Sequence, residues 1–153
     1  MADIDVSQEI DAPLATVWEL LIDVARLPEI LSGVQAVQIA DGGDFAPAFR
    51  WMEQRRAPGF PGEREWQIVE SSPYAGFTQE SFSDGERTRI TYRLDARGED
   101  ATVLGLHYER VLEHAPAVVH IASRISDPFH ERAVRKTLDA DAREIAAACG
   151  SAR

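Results

Sequence analysis

The stretch GFTQESFSDGERTRITYRLDARGEDATVLGLHYERVL, residues 76–112, decides the fold. It contains three β-patterned runs, Gly76 to Ser83, Glu86 to Leu94 and Thr102 to Leu112. Asp84-Gly85 joins the first two as a two-residue primed turn, and Arg97-Gly98-Glu99-Asp100 precedes the third. Strands joined by connections this short pair antiparallel, because a parallel pair needs a long crossover. Working outward, Val34–Ile39, Phe49–Arg55 and Glu63–Val69 extend the same meander. The turn Asp41-Gly42-Gly43-Asp44 and the loop Arg56 to Gly62 separate them. Further back, Ile4, Val6 and Ile10 share one parity and predict a half-buried strand over Asp3–Ile10.

Between that strand and the meander lie two helical signals. Pro13 opens the first, and Leu14, Val17, Trp18, Leu21 and Ala25 follow at helical spacing. Pro28 opens a shorter one over Leu27–Leu31, stopped at Ser32-Gly33. Beyond the meander the chain is helical from Pro116 to Ala148. One apolar stripe contains Val118, Ile121 and Ile125; a second contains Val134, Leu138, Ala142, Ile145 and Cys149. The stripes are out of phase, and Pro128 between them predicts a kink. The order is β-α-α-β6-α, a single α+β domain over residues 1–153.

Composition narrows the function. With 153 residues the chain buries roughly 70% of its unfolded surface, enough for a core without staples. Sixteen basic against 26 acidic residues leave a net charge of −10, a field that repels nucleic acid. No apolar run is long enough to span a membrane, so no integral membrane association is expected. The N-terminus lacks the pattern of a secretory signal, and Cys149 is the one cysteine. A cytoplasmic protein, monomeric or homodimeric, is expected. His107, His114, His120 and His130 form no H-x-x-x-H pair, so no metal site is expected. No glycine-rich phosphate loop and no nucleophile elbow is present, and no cofactor is expected.

This element order, with Ile10-Asp11-Ala12-Pro13, Val17-Trp18, Asp23 and Leu27-Pro28-Glu29, resembles the START-like (SRPBCC) superfamily. The run Arg124–Pro128 followed by Arg132–Leu138 is similar to the last helix of its polyketide cyclase/dehydrase branch. The resemblance implies a helix-grip fold: a curved, antiparallel, seven-stranded sheet wrapped around a long C-terminal helix, with two short helices after strand 1. It further implies a cavity between sheet and helix that holds a hydrophobic small molecule such as a lipid, quinone or aromatic polyketide. It implies no particular reaction. A polyketide cyclase, aromatase or dehydratase is the alternative to a carrier or sensor.

Parity nominates the lining. Ile90, Tyr92 and Leu94 point one way, with Arg87, Arg89 and Arg93 the other; Leu104, Leu106 and Tyr108 are inward by the same logic. Trp51, Trp66, Tyr92 and Tyr108 make an aromatic lining suited to an aromatic ligand, or they simply fill the core. Glu53 and Arg55 share Trp51's parity. Inward, they put a carboxylate and a guanidinium beside an apolar cavity, where burial raises a carboxyl pKa and Glu53 becomes a candidate acid or base, with Arg55 stabilising an enolate. With the other parity inward, Arg50, Met52, Gln54 and Arg56 face the core and both charges are solvated. Phe60, between Pro58 and Pro61, is expected as an exposed lid aromatic at the cavity mouth, and His120 as a polar pocket contact or a surface residue.

Overall fold

The computed structural model describes residues 2–40, 42–60, 62–83, 85–112 and 128–151. Seven strands form one antiparallel sheet: β1 (Ala2–Ile10), β2 (Val34–Ile39), β3 (Arg50–Arg55), β4 (Gly62–Ser72), β5 (Gly76–Ser83), β6 (Glu86–Ala96) and β7 (Thr102–Leu112). Their order is β1-β7-β6-β5-β4-β3-β2. The six consecutive strands thus meander as their short turns require, and β1 closes the sheet by pairing β7 from Ala2↔Arg110 to Ile10↔Thr102. Bulges between Val34 and Ala36 and between Ile68 and Glu70 bend the sheet, since an extra residue on one strand curves it locally.

The helices occupy the concave side. α1 (Leu14–Ile22) buries Val17, Trp18 and Leu21, the apolar stripe expected from its spacing. A 3-10 turn over Val24–Arg26 leads into α2 (Leu27–Ile30), whose Pro28 sits in the first turn where no hydrogen bond is lost. Thr102 Oγ1 donates to the Ala12 carbonyl at 2.8 Å, tying the entry of α1 to β7. α3 (Pro128–Ser151) lies across the sheet, and Val134, Leu138, Ala142, Ile145 and Cys149 are all at most 2% exposed. The predicted helix upstream of Pro128 and its kink fall outside the described residues. No described helix is long and apolar enough to cross a membrane.

The loop after β3 departs from expectation. Phe60 is not an exposed lid but is buried, 5% exposed, and packs edge-on against Tyr108 with ring centroids 5.9 Å apart. The loop is fastened to α3: Thr137 Oγ1 donates to the Pro58 carbonyl. Gly59, at φ +83°, approaches so closely that a Cβ would meet Val134 Cγ2 at 2.7 Å. Glycine is required there for both its backbone angle and its lack of a side chain. Glycine and proline signalled an irregular loop; they did not signal that it would dock.

On the outer sheet face, β1 and β7 bring His107 between two carboxylates. Protonated, it donates from Nδ1 to Asp5 Oδ1 at 2.6 Å and from Nε2 to Glu109 Oε1 at 3.1 Å. The hydrogen bond to Asp5 is the main cause that raises its pKa. A histidine whose folded pKa exceeds its unfolded value stabilises fully below the unfolded value, and that stability is lost as pH rises through the folded one. His107→Gln should therefore cost more at pH 5.5 than at pH 9. The difference should stay within about 1 kcal/mol because the pair is solvent-screened. Urea unfolding at the two pH values checks this, and an equal cost at both would refute it.

Candidate functional site

Strand β3 presents Trp51 and Glu53 to the interior, 1% and 4% exposed, while Arg50 and Gln54 are exposed. The charged pair that parity left undecided is therefore internal. Arg55 Nε donates to Glu53 Oε2 at 3.0 Å, and Arg55 Nη1 donates to Asp141 Oδ2 at 2.9 Å. The guanidinium is thus clamped between a carboxylate from the sheet and one from α3, and all three side chains are at least nine-tenths buried. Trp51 Nε1 reaches Glu53 Oε1 at 3.5 Å, and the guanidinium lies 5.4 Å from the Phe60 ring centroid.

Burial sets the electrostatics of this cluster. It pushes the Asp141 carboxyl above the ordinary aspartate value, against the opposing pull of Arg55. Desolvation alone would lower the Arg55 pKa, but Asp141 and Glu53 more than reverse it, so the guanidinium stays charged. The Tyr92 hydroxyl is pushed up, chiefly by desolvation and then by Asp141, and remains neutral at ordinary pH. Asp141, whose carboxyl burial raises, is a residue that sequence reading passed over. Its signal was present: Asp141 lies three residues after Leu138 and one before Ala142, inside the buried stripe of α3.

Trp51, Glu53, Arg55 and Tyr92 line one partly open void, together with Phe77 and Gln79. Its volume is about 20 Å3, room for one water and far below the roughly 300 Å3 of a small drug-sized site. Aromatic packing keeps it small. Phe77 stacks on Tyr92 at 4.5 Å, and Phe45 meets Phe77 edge-on at 4.9 Å. Trp66 pairs with Trp51 across β3 and β4, adding a second indole to the same face. Tyr108 is buried at the other end of that face, where its hydroxyl lies 3.5 Å from His130 Nε2. His120 lies outside the described residues. A separate open groove of about 580 Å3 is bounded by residues that include Val69, Thr78, Thr91 and Arg93. Phe77 and Tyr92 line it too, and they alternate with Thr78 and Thr91, so this groove takes in residues of both parities of β5 and β6.

Two other candidate chemistries can be placed. Asp3, His107 and Glu109 bring possible ligand atoms within 4.8 Å of one another, on the outer face rather than in the interior. Cys149 is fully buried on α3, and burial raises its thiol to about 11, which leaves no thiolate for nucleophilic work.

A family model described as polyketide cyclase / dehydrase and lipid transport matches residues 1–150. No curated protein matches the sequence. Among solved structures, the Zhui aromatase/cyclase of a Streptomyces species superposes with a TM-score of 0.78 at 16% identity, covering 97% of this chain and 93% of that one. A START superfamily protein from Mycobacterium smegmatis gives 0.77 at 12% identity, with 99% of each chain covered. Norcoclaurine synthase from Thalictrum flavum gives 0.70 at 17%, covering 98% and 94%. At these identities the likeness establishes the helix-grip fold.

Proposed function

We propose that this chain, which belongs to the polyketide cyclase/dehydrase and lipid transport family, binds a hydrophobic small molecule between the concave sheet face and α3, with Glu53, Arg55 and Asp141 meeting its polar group. A lipid, a quinone or an aromatic polyketide-like compound fits this description. The observation that carries the reading is a buried guanidinium held between two carboxylates beside an aromatic-lined void. Taking three charges out of water costs several kcal/mol per ion, and packed apolar residues would often serve stability as well. Perturbed charges gathered in an apolar interior therefore mark a functional site better than a structural one. The void has room for only about one water, so ligand entry requires the Phe77–Tyr92 stack or its neighbours to give way. Trp66, Tyr108 and Phe60 complete the proposed lining, and His120 remains a proposed polar contact.

A second reading, catalysis on a poly-β-carbonyl chain, is favoured by one feature: a carboxyl of raised pKa next to a fixed cation. Ionised Asp141 would take a proton from the carbon between two carbonyls, and Arg55 would stabilise the enolate charge. The enolate carbon would attack a further carbonyl of the same chain, and the protonated carboxyl would return its proton to the oxygen so formed. A second proton abstraction at the same carbon, with that proton delivered to the new hydroxyl, would expel it as water. Glu53 would hold Arg55 in place.

Native mass spectrometry of wild type, Glu53→Gln and Asp141→Asn against fatty acids, quinones and aromatic polyketides separates the readings. Adducts released unchanged from every protein identify a carrier or sensor. Loss of water from a bound poly-β-carbonyl compound with wild type, abolished in Asp141→Asn, identifies an enzyme. The absence of any adduct with wild type would sink the binding proposal itself.

A further inference from the structure

Among the described residues, Trp66 Nε1 and Ser81 Oγ on the concave face are buried without a hydrogen-bond partner. Trp66 is 2% exposed and Ser81 3%. They are neighbours by register. Gln67 pairs with Glu80, so the next position sets Trp66 beside Ser81, both on the inward parity; Ser81 in turn pairs with Thr88. Thr88 is buried as well and accepts from Arg64 Nη1 at 3.3 Å, and the Arg64 guanidinium lies 5.7 Å from the Trp66 ring centroid. An indole N–H, a hydroxyl and a guanidinium therefore gather at one place on the interior wall. Leaving a buried donor unpaired costs about as much as a lost hydrogen bond or more, so adjacent orphans of this kind call for an occupant.

We infer that Trp66 Nε1–H and Ser81 Oγ–H form a second polar subsite, which takes a carbonyl or carboxylate oxygen of the bound molecule. The indole nitrogen only donates, so its partner has to be an acceptor. Arg64 adds positive potential beside it, which extends the preference to an anionic oxygen. The subsite rests on the interior-binding reading and narrows it. Trp66 pairs with Trp51, two residues along β3 from Glu53, and Ser81 lies one strand further, which places this oxygen roughly 8–12 Å from Glu53 at strand spacings. The ligand class is then a rigid or extended apolar body with polar oxygens that far apart, rather than a hydrocarbon chain with a single head.

The test compares naphthalene, 2-acetylnaphthalene and 2-naphthoate by calorimetric titration of the full chain, as wild type, Trp66→Phe and Ser81→Ala. Wild type is expected to prefer the oxygenated probes over naphthalene by about tenfold, the worth of satisfying one buried donor. That ratio should shrink towards one in each variant, and Ser81→Ala keeps the test valid should Trp66→Phe fold poorly. A further gain for naphthoate over the ketone measures the Arg64 contribution. In 1H–15N spectra of wild type, the Trp66 indole resonance should shift with the ketone and the acid but not with naphthalene. Equal affinity for all three probes would overturn the subsite while leaving interior binding intact, and would assign these donors to an ordered water only. Failure of every probe to bind would overturn both.

Discussion

Replacing Arg55 with methionine is expected to destabilise the protein by about 3–5 kcal/mol at neutral pH, the usual consequence of removing one partner from a buried ionic cluster. Glu53 and Asp141 would remain in the interior, 4% exposed each, without the cation that holds them. The loss should depend on pH with a definite sign. The Asp141 carboxyl already titrates above its ordinary value because it is desolvated, and Arg55 is what opposes that rise. Without Arg55 it rises further. A carboxyl whose folded pKa exceeds its unfolded one costs stability once ionised, so stability falls as pH climbs from the unfolded value through the folded one. Urea unfolding should therefore show a smaller deficit at pH 4.5 than at pH 7.5. Changing Glu53 and Asp141 to leucine in the same background should recover most of the loss, because no buried charge then remains. A pH-independent deficit, or no recovery in the triple variant, would mean the three residues do not act as one electrostatic unit.

Trp51→Ala should have a comparable effect by another route. Truncating a fully buried tryptophan typically costs about 3–5 kcal/mol through lost transfer energy and the cavity left behind. Here the new space would merge with the void bounded by Trp51, Phe77 and Tyr92, turning room for one water into room for an aromatic ring. Glu53 would also lose the indole N–H that reaches it at 3.5 Å. Indole added at a hundred times its dissociation constant should return about 2.7 kcal/mol by mass action. Thermal melts with and without indole measure both parts. A variant that loses stability but gains nothing from indole would show that its interior collapses instead of opening.

How far such a site can be read ahead of a structure depends on the range of the interactions that build it. The strands and their inward parity were legible, because alternation along β6 and β7 is a local pattern imposed by burial of one face. On β3 the same rule stalled, since either parity would have buried charged or polar side chains; only the carboxylate arriving from α3 makes the Glu53–Arg55 choice tolerable. Arg55 and Asp141 are 86 residues apart, and no spacing rule connects them. Asp141 was still visible as a carboxylate in an apolar stripe, a signal that was overlooked. Phe60 was misplaced because proline and glycine mark irregular backbone equally well whether it docks or not. The small volume of the void follows from the rotamers of Phe45, Phe77 and Tyr92, which a sequence does not express.

The crystal structure of the protein with the compound it retains most tightly in native mass spectrometry tests interior binding most directly. The expected result is a ligand between the sheet and α3, with an oxygen within hydrogen-bond distance of Arg55 or Asp141 and the Phe77–Tyr92 stack displaced. A ligand seated instead in the open groove by Val69, Thr78, Thr91 and Arg93, with no contact to Arg55 or Asp141 and the Phe77–Tyr92 stack in place, would contradict it.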